Sequence, residues 1–204
     1  MNKKELTEAD IRSKFITPAL LSRGWDLKKQ IREEVSFTDG RVIVQGSLHT
    51  RGTRKRADYI LYHKPNMPIA IIEAKDNKHN VGDGMQQALD YSERLDIPFV
   101  FTSNGDSFVF HDKTIQEGQI EREISLDEFP TPEELRKKYY SYKNLDNPES
   151  IEIAEQDYFA DDSDMSPRYY QQIAANRTVE AVAKGADRIL LVMATGTGKT
   201  YTAF

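Results

Sequence analysis

The sequence predicts an α/β fold: a mixed sheet flanked by helices, followed by the first helix, strand and glycine-rich loop of a second α/β domain. Three observations predict it. Segments of helical period alternate with short β-favouring runs between Lys4 and His111. Gly, Pro and Asn turn signals separate those runs. Near the end of the chain an apolar run, Ile189 to Ala194, passes straight into a loop containing Gly196 and Gly198. The 204 residues are 38% hydrophobic, which suffices for an ordinary core.

The segment from Lys4 to Arg23 spaces Leu6, Ile11, Phe15, Leu20 and Leu21 at helical intervals, with Thr7 as cap and Gly24 as stop. Pro18 must kink this helix or split it. Next, Val35 to Phe37 and Arg41 to Leu48 favour strands around the turn signal Thr38-Asp39-Gly40, which predicts a hairpin. Asp58 to Tyr62 and Ile69 to Ala74 flank the segment 63–68 with its two prolines and predict a second hairpin. Gly82 to Leu95 reads as a helix carrying Met85, Ala88, Leu89 and Leu95, ended by Ile97-Pro98 before a strand over Phe99 to Thr102. After Ser103-Asn104-Gly105-Asp106 comes a strand from Ser107 to His111, and a Tyr-rich helix up to Tyr142 closes the unit.

The organisation predicted is therefore a domain over 1–143, an acidic linker over 144–166 with a short helix at most, and the start of a second domain over 167–204. In that last part a helix from Pro167 to Lys184 ends at Gly185 and a strand from Arg188 to Met193 leads into the glycine-rich loop. The chain stops at Phe204, before any complete nucleotide-hydrolysing domain.

Composition removes several chemistries. There is no Cys, hence no thiolate nucleophile or thiolate metal site, and no export signal is visible, so a reducing, cytoplasmic setting is expected. No apolar run approaches the roughly 18 residues of a membrane span. The net charge of −5 does not itself favour nucleic acid. Its distribution does, because Arg51, Arg54, Lys55 and Arg56 cluster just before Asp58 while acidic residues collect between Glu152 and Asp164.

Side chains alternate along a strand, so Glu73 and Lys75 share one face. If the second hairpin is symmetric about Pro65 and Asn66, Asp58 falls opposite Glu73. Two carboxylates and an ammonium gathered on a half-buried face are expensive unless a cation or a reaction accounts for them. Hard oxygen ligands supplemented by a backbone carbonyl and waters suit Mg²⁺, with Asp58 and Glu73 as its ligands and Lys75 orienting water or stabilising charge on a phosphate. The predicted chemistry is phosphodiester hydrolysis.

Asp58 followed by Glu73-Ala74-Lys75 resembles the PD-(D/E)xK nuclease motif, and Gln87-Ala88-Leu89-Asp90-Tyr91 resembles its Q-x-x-x-Y extension. Ala57 stands where that motif usually has Pro. The resemblance implies a restriction-endonuclease-like fold, with Gln87 and Tyr91 supporting Lys75 and contacting DNA, Glu8 of the first helix in the outer shell of the metal, and Arg54 and Arg56 among the DNA contacts. Glu8 and Arg12 otherwise read as a local (i, i+4) ion pair.

The apolar run into Thr195-Gly196-Thr197-Gly198-Lys199-Thr200 has the form of a phosphate-binding loop, in which backbone N–H groups hold phosphate, Lys199 reaches the terminal phosphates and Thr200 ligates Mg²⁺. With Met193 at the usual first small residue, it is similar to superfamily 2 helicases. Arg168-Tyr169-Tyr170-Gln171 resembles their adenine-reading element, which implies ATP with Mg²⁺ as ligand of a RecA-like domain. Taken in order, these motifs resemble the N-terminal part of the restriction (R) subunit of type I restriction-modification enzymes. That family implies double-stranded DNA, a methyltransferase (M) subunit and a specificity (S) subunit as partners, and an ATP-driven motor joined to an endonuclease. Two other readings are a stand-alone helicase-nuclease of DNA defence or repair, and a degenerate nuclease fold serving as a DNA-binding or docking module.

Overall fold

A computed structural model of the chain describes residues 2–38, 42–45, 48–51, 54–157 and 167–203. It divides into two compact units, Met1–Arg136 and Lys137–Phe204.

The first unit opens with a single-turn 3₁₀ helix and then α1, Glu8–Ile11, capped by Thr7 through a reciprocal capping box with Asp10. A π-helical turn, Arg12–Ile16, joins it to α2, Thr17–Ser22. Pro18 sits in the first turn of α2, and the wider turn before it accommodates the missing N–H, so the helix is modulated rather than split. Gly24, at φ +88°, ends it as expected.

The sheet has six strands in the order β1-β4-β5-β6-β7-β8. They are β1 Ile31–Thr38, β4 Arg54–Lys64, β5 Met67–Ala74, β6 Phe99–Ser103, β7 Ser107–Asp112 and β8 Glu121–Ser125. Only the β5–β6 pair is parallel, because α3, Met85–Leu95, crosses between them. β2, Val42–Gln45, and β3, Leu48–Arg51, pair with each other in a separate ribbon.

This corrects the first predicted hairpin. β1 pairs with β4, not with the strand that follows it, because its buried Ile31 and Phe37 gain an apolar partner only against the central sheet. The turn residues Asp39 and Gly40 lie outside the described residues. The second hairpin forms as read: Pro65 and Asn66 make the turn, with Asn66 at φ +66° as the second central position of a type II turn requires. β8 was not anticipated. It is an edge strand of mostly charged, exposed residues, and its apolar pattern is accordingly weak.

Both faces of the sheet are covered. On one, Tyr59 meets Thr17 of α2 (2.9 Å between hydroxyls), and Phe101, Phe108, Phe110 and Phe129 pack together, Phe101 and Phe110 stacked at 4.3 Å. Trp25 closes this core edge-on to Phe129 and donates its indole N–H to Pro130 O. On the other face α3 lays Ala88, Ser92 and Leu95 inward, and this is the face that Glu73 shares.

The division between units falls within α4, Pro132–Tyr142. The second unit continues with α5, Pro148–Glu155, inside the stretch expected as a linker, then α6, Tyr169–Ala183, and the short α7, Lys199–Ala203. Glu180 of α6 is buried, accepts from Tyr139 and pairs with Lys143 at 3.2 Å. The predicted strand over Arg188 to Met193 is not formed. A parallel strand is held only by neighbours, and no described residue of the chain pairs with this one; Leu190 and Val192 are left 88% and 82% exposed.

Candidate active site

The register of β4 and β5 brings the two carboxylates together. Tyr59 pairs with Ile72, Ile60 with Ile71 and Leu61 with Ala70, and the same ladder continued by one residue sets Asp58 opposite Glu73. Both are buried, at 5% and 3% exposure, in a run where neither strand offers solvent. Asp58 Oδ2 accepts the Ala74 N–H at 2.8 Å, which fixes its rotamer against β5. Lys75 lies just past β5, yet its N–H bonds Ser103 O at 2.9 Å, so the alternation holds and its side chain returns to the Glu73 face.

Glu73 is bound unequally. Its Oε1 accepts both Lys75 Nζ at 3.0 Å and the side-chain amide of Gln87, whereas its buried Oε2 has no hydrogen-bond partner. A buried, unpartnered carboxylate oxygen is costly in water-excluded surroundings. Burial, and then the charge of Asp58, push the Glu73 carboxyl up to about 7. Burial opposes the charge on Lys75, but the bond to Glu73 and the charges of Glu73, Glu8 and Asp58 outweigh it and raise its pKa. Lys75 is thus held as a cation that donates to Glu73.

Glu8 faces the same centre: burial and then the Asp58 charge raise its pKa, with Lys75, Arg12 and Asp76 also within its field. Tyr91, one helical turn after Gln87, bonds the Gln87 side chain and packs edge-on to Phe37 at 5.1 Å, with Lys55 Nζ 5.5 Å from its ring centre. Arg54 and Arg56 stand exposed at the start of β4, and Arg56 reaches Glu34 at 3.4 Å. The side chain of Arg51 lies outside the described residues.

These residues suit a small divalent cation in a specific way. Among the described residues no three or more His, Asp or Glu side chains gather into a metal cage. Asp58 and Glu73 offer two carboxylates, one with a buried oxygen unbound. That donor set fits Mg²⁺, which retains waters and takes phosphate oxygens instead of a full protein shell.

In the second unit, Gly196 and Gly198 adopt φ +80° and +82°, and the loop between Ala194 and Lys199 is closed by Thr197 Oγ1 donating to Ala194 O at 2.6 Å. Lys199, the first residue of α7, is exposed and its Nζ donates to Met193 O at 3.3 Å; Thr200 follows it in the helix. Thr195 is exposed. Gln171 is buried: its Oε1 accepts the Arg168 N–H at 2.8 Å, and its Nε2 donates to Thr197 O at 3.1 Å and Gly198 O at 3.4 Å. Arg168 bonds the Tyr170 hydroxyl at 2.8 Å. The residues read as an adenine-contacting element and the residues read as a phosphate loop are therefore joined directly.

The family described as type I restriction enzyme R protein N terminus (HSDR_N) matches residues 26–130. The chain belongs to that family. Residues 164–204 match a second family, described as type III restriction enzyme, res subunit. The endonuclease subunit of the type I restriction enzyme EcoAI from Escherichia coli is 54% identical, over all of this chain and 25% of its own length. That of EcoKI from Escherichia coli K12 is 27% identical, over 98% of this chain and 21% of its own. A structure described as a fragment of an HsdR subunit of a type I restriction enzyme from Vibrio vulnificus YJ016 superposes with a TM-score of 0.81 at 42% identity, covering 98% of this chain and 37% of that one. The R-protein chain spans about a quarter of the length of the curated relatives it matches.

Two residues of this R-protein N terminus bear on the site in ways that their spacing in sequence does not suggest. Arg12 does not close a local pair with Glu8. Its guanidinium is buried over the Tyr59 ring, bonds Glu34 at 3.0 Å and Glu33 at 3.3 Å, and comes within 4.0 Å of Asp58 Oδ1. Its partner Glu34 lies on β1 between Glu33, which pairs with Tyr59, and Val35, which pairs with Ala57, at φ +53°, with its pKa lowered by Arg12 and then Arg56. Gly84, the N-cap of α3, faces the Glu73–Lys75 pair so closely that an added Cβ would meet both side chains. The Gly82-Asp83-Gly84 run before a helix was the one signal that pointed to it. No described helix is long and apolar enough to cross a membrane.

Proposed function

We propose that Asp58, Glu73 and Lys75 are the DNA-cutting centre of a type I R subunit, and that residues 168–200 begin the ATP site of its motor. The observation that carries this reading is the one-sided binding of Glu73: Lys75 and Gln87 occupy Oε1 and leave Oε2 bare, buried and beside Asp58. Asp58 and Glu73 would hold Mg²⁺, which when bound lowers the pKa of a water and polarises the scissile phosphate. Gln87 fixes the Glu73 rotamer, and Tyr91 fixes Gln87 in turn. Lys75, held cationic, donates to the phosphate oxygen on which charge builds or orients the attacking water. Arg54 and Arg56 offer charge to the phosphates of double-stranded DNA, and Glu8 is placed to bond waters of the metal. In the second unit Thr195 to Gly198 would cradle the phosphates of ATP, Lys199 would contact the terminal ones, Thr200 would take Mg²⁺, and Arg168 with Gln171 would read the base. Recognition of the target sequence is left to the S subunit and modification to the M subunit.

Glu73→Gln tests this reading. A carboxyl whose folded pKa lies above its unfolded value contributes stability that is fully present below about 4.5 and is lost as pH rises through about 7. Without metal, therefore, Glu73→Gln melts above the parent at pH 8, by on the order of 2–3 kcal/mol, and close to it at pH 4.5. The same variant in the full-length subunit is expected to lose Mg²⁺-dependent cleavage while still hydrolysing ATP. Wild-type cleavage by Glu73→Gln would remove Glu73 from the centre.

A further inference from the structure

The segment over residues 76–84, between Lys75 and α3, carries none of the cutting groups, yet a side chain at its last residue would meet two of them. Gly84 caps α3 at φ +99°. A Cβ placed there would stand 3.0 Å from Lys75 Cε, 3.2 Å from Glu73 Cγ and 3.6 Å from Lys75 Nζ. The first two distances are inside ordinary van der Waals contact, so one added carbon would press on both side chains at once.

The segment has little room to retreat. Lys75 N–H is bound to Ser103 O, Thr102 Oγ1 donates to Val81 O at 2.7 Å, and buried Asn104 donates to His79 O at 2.8 Å. Asn77 returns a bond to Asn104 O at 3.0 Å. The strand end and turn over 102–104 thus pin residues 75–81. At the helical end, Ala88 N–H bonds Gly84 O at 2.9 Å, and Gln87 of the same turn holds Glu73.

We propose that Gly84 is a positioning residue of the Asp58–Glu73–Lys75 centre. Its bare backbone lets the start of α3 seat directly on the Glu73–Lys75 pair, and a side chain there displaces both groups while removing neither. The inference rests on the reading of that centre as the cutting site. Other glycines of the first unit show that the contact is not a general property of this backbone conformation: Gly24 at φ +88° and Gly118 at φ +105° have nothing within 4 Å of an added Cβ.

The test uses Gly84→Ala, Gly84→Asn, Gly118→Ala and Asp58→Asn in the full-length subunit. Asn tolerates positive φ better than Ala, so it keeps the intrusion while easing the backbone cost, and it carries the test if Gly84→Ala folds poorly. Both Gly84 variants are expected to lower kcat for DNA cleavage by about 10–100-fold with KM for DNA unchanged. Mn²⁺ binding to the 204-residue chain, read by electron paramagnetic resonance, should weaken by about 10-fold. Gly118→Ala should cut and bind Mn²⁺ like the parent. Parental kcat and Mn²⁺ affinity in Gly84→Asn, or an equal loss in Gly118→Ala, would overturn the inference. Continued cutting by Asp58→Asn would instead strike the reading of the centre, and normal cutting by the Gly84 variants beside an inactive Asp58→Asn would strike this inference alone.

Discussion

Replacing Asp58 with Ala in the full-length subunit is expected to abolish DNA cleavage, by about 10³-fold or more, and to leave DNA-stimulated ATP hydrolysis in place. The size follows from what Asp58 supplies: one of two carboxylates able to hold the cation, in a site where a lost electrostatic contact costs about 10²–10³-fold on its own. Ala also leaves the Ala74 N–H without its acceptor and removes the negative charge 4.0 Å from Arg12. A buried donor left unpaired costs about 1–3 kcal/mol, so the Ala variant is expected to melt lower as well. Asp58→Asn separates the two effects. Its amide oxygen can still accept from Ala74, which keeps the hairpin, while the charge needed by the metal is gone. Gel analysis of plasmid cleavage beside an ATPase assay checks both; cleavage surviving in Asp58→Asn would defeat the assignment.

The second large effect lies in the other unit. Lys199→Ala is expected to reduce ATP hydrolysis by about 10²-fold or more, because an ammonium at the terminal phosphates is a preorganised charge that nothing else in the loop replaces. Among the described residues its Nζ bonds the Met193 carbonyl alone, and Lys199 is exposed, so its loss should barely alter melting. Cleavage that requires translocation should fall with the ATPase, whereas Mn²⁺ binding at Asp58 and Glu73 should be unchanged. An ATPase rate near the parent's in Lys199→Ala would contradict the placement of the phosphates.

Much of the candidate site was legible because it depends on local geometry. The turn at Pro65-Asn66 and the period-2 alternation were enough to set Asp58 against Glu73. That estimate survived two irregularities, near Leu61/Tyr62 and Tyr62/Lys64, because one skips a residue on β5 and the other a residue on β4. Helical spacing likewise paired Gln87 with Tyr91, but only the structure shows that Gln87 binds one oxygen of Glu73 while Tyr91 bonds Gln87. What was not legible depended on partners distant in sequence. The turn signal after Thr38 suggested a local hairpin, yet β1 found β4 because burial of Ile31 and Phe37 outweighs a short connection. Arg12 was four residues from Glu8 and invited a helical ion pair; the fold instead delivers Glu33, Glu34 and Asp58 to it. The apolar run at 189–192 has strand composition without a described neighbour to bond it, so composition alone overstated its structure.

On the proposed reading, Asp58 and the bare oxygen of Glu73 hold the metal of cleavage. Anomalous scattering from Mn²⁺-soaked crystals of the chain tests it most directly. A Mn²⁺ peak bonded to both the Asp58 carboxylate and Glu73 Oε2, and absent in Asp58→Asn, is the expected result. A Mn²⁺ ion bound elsewhere, or persisting unchanged in Asp58→Asn, would contradict it.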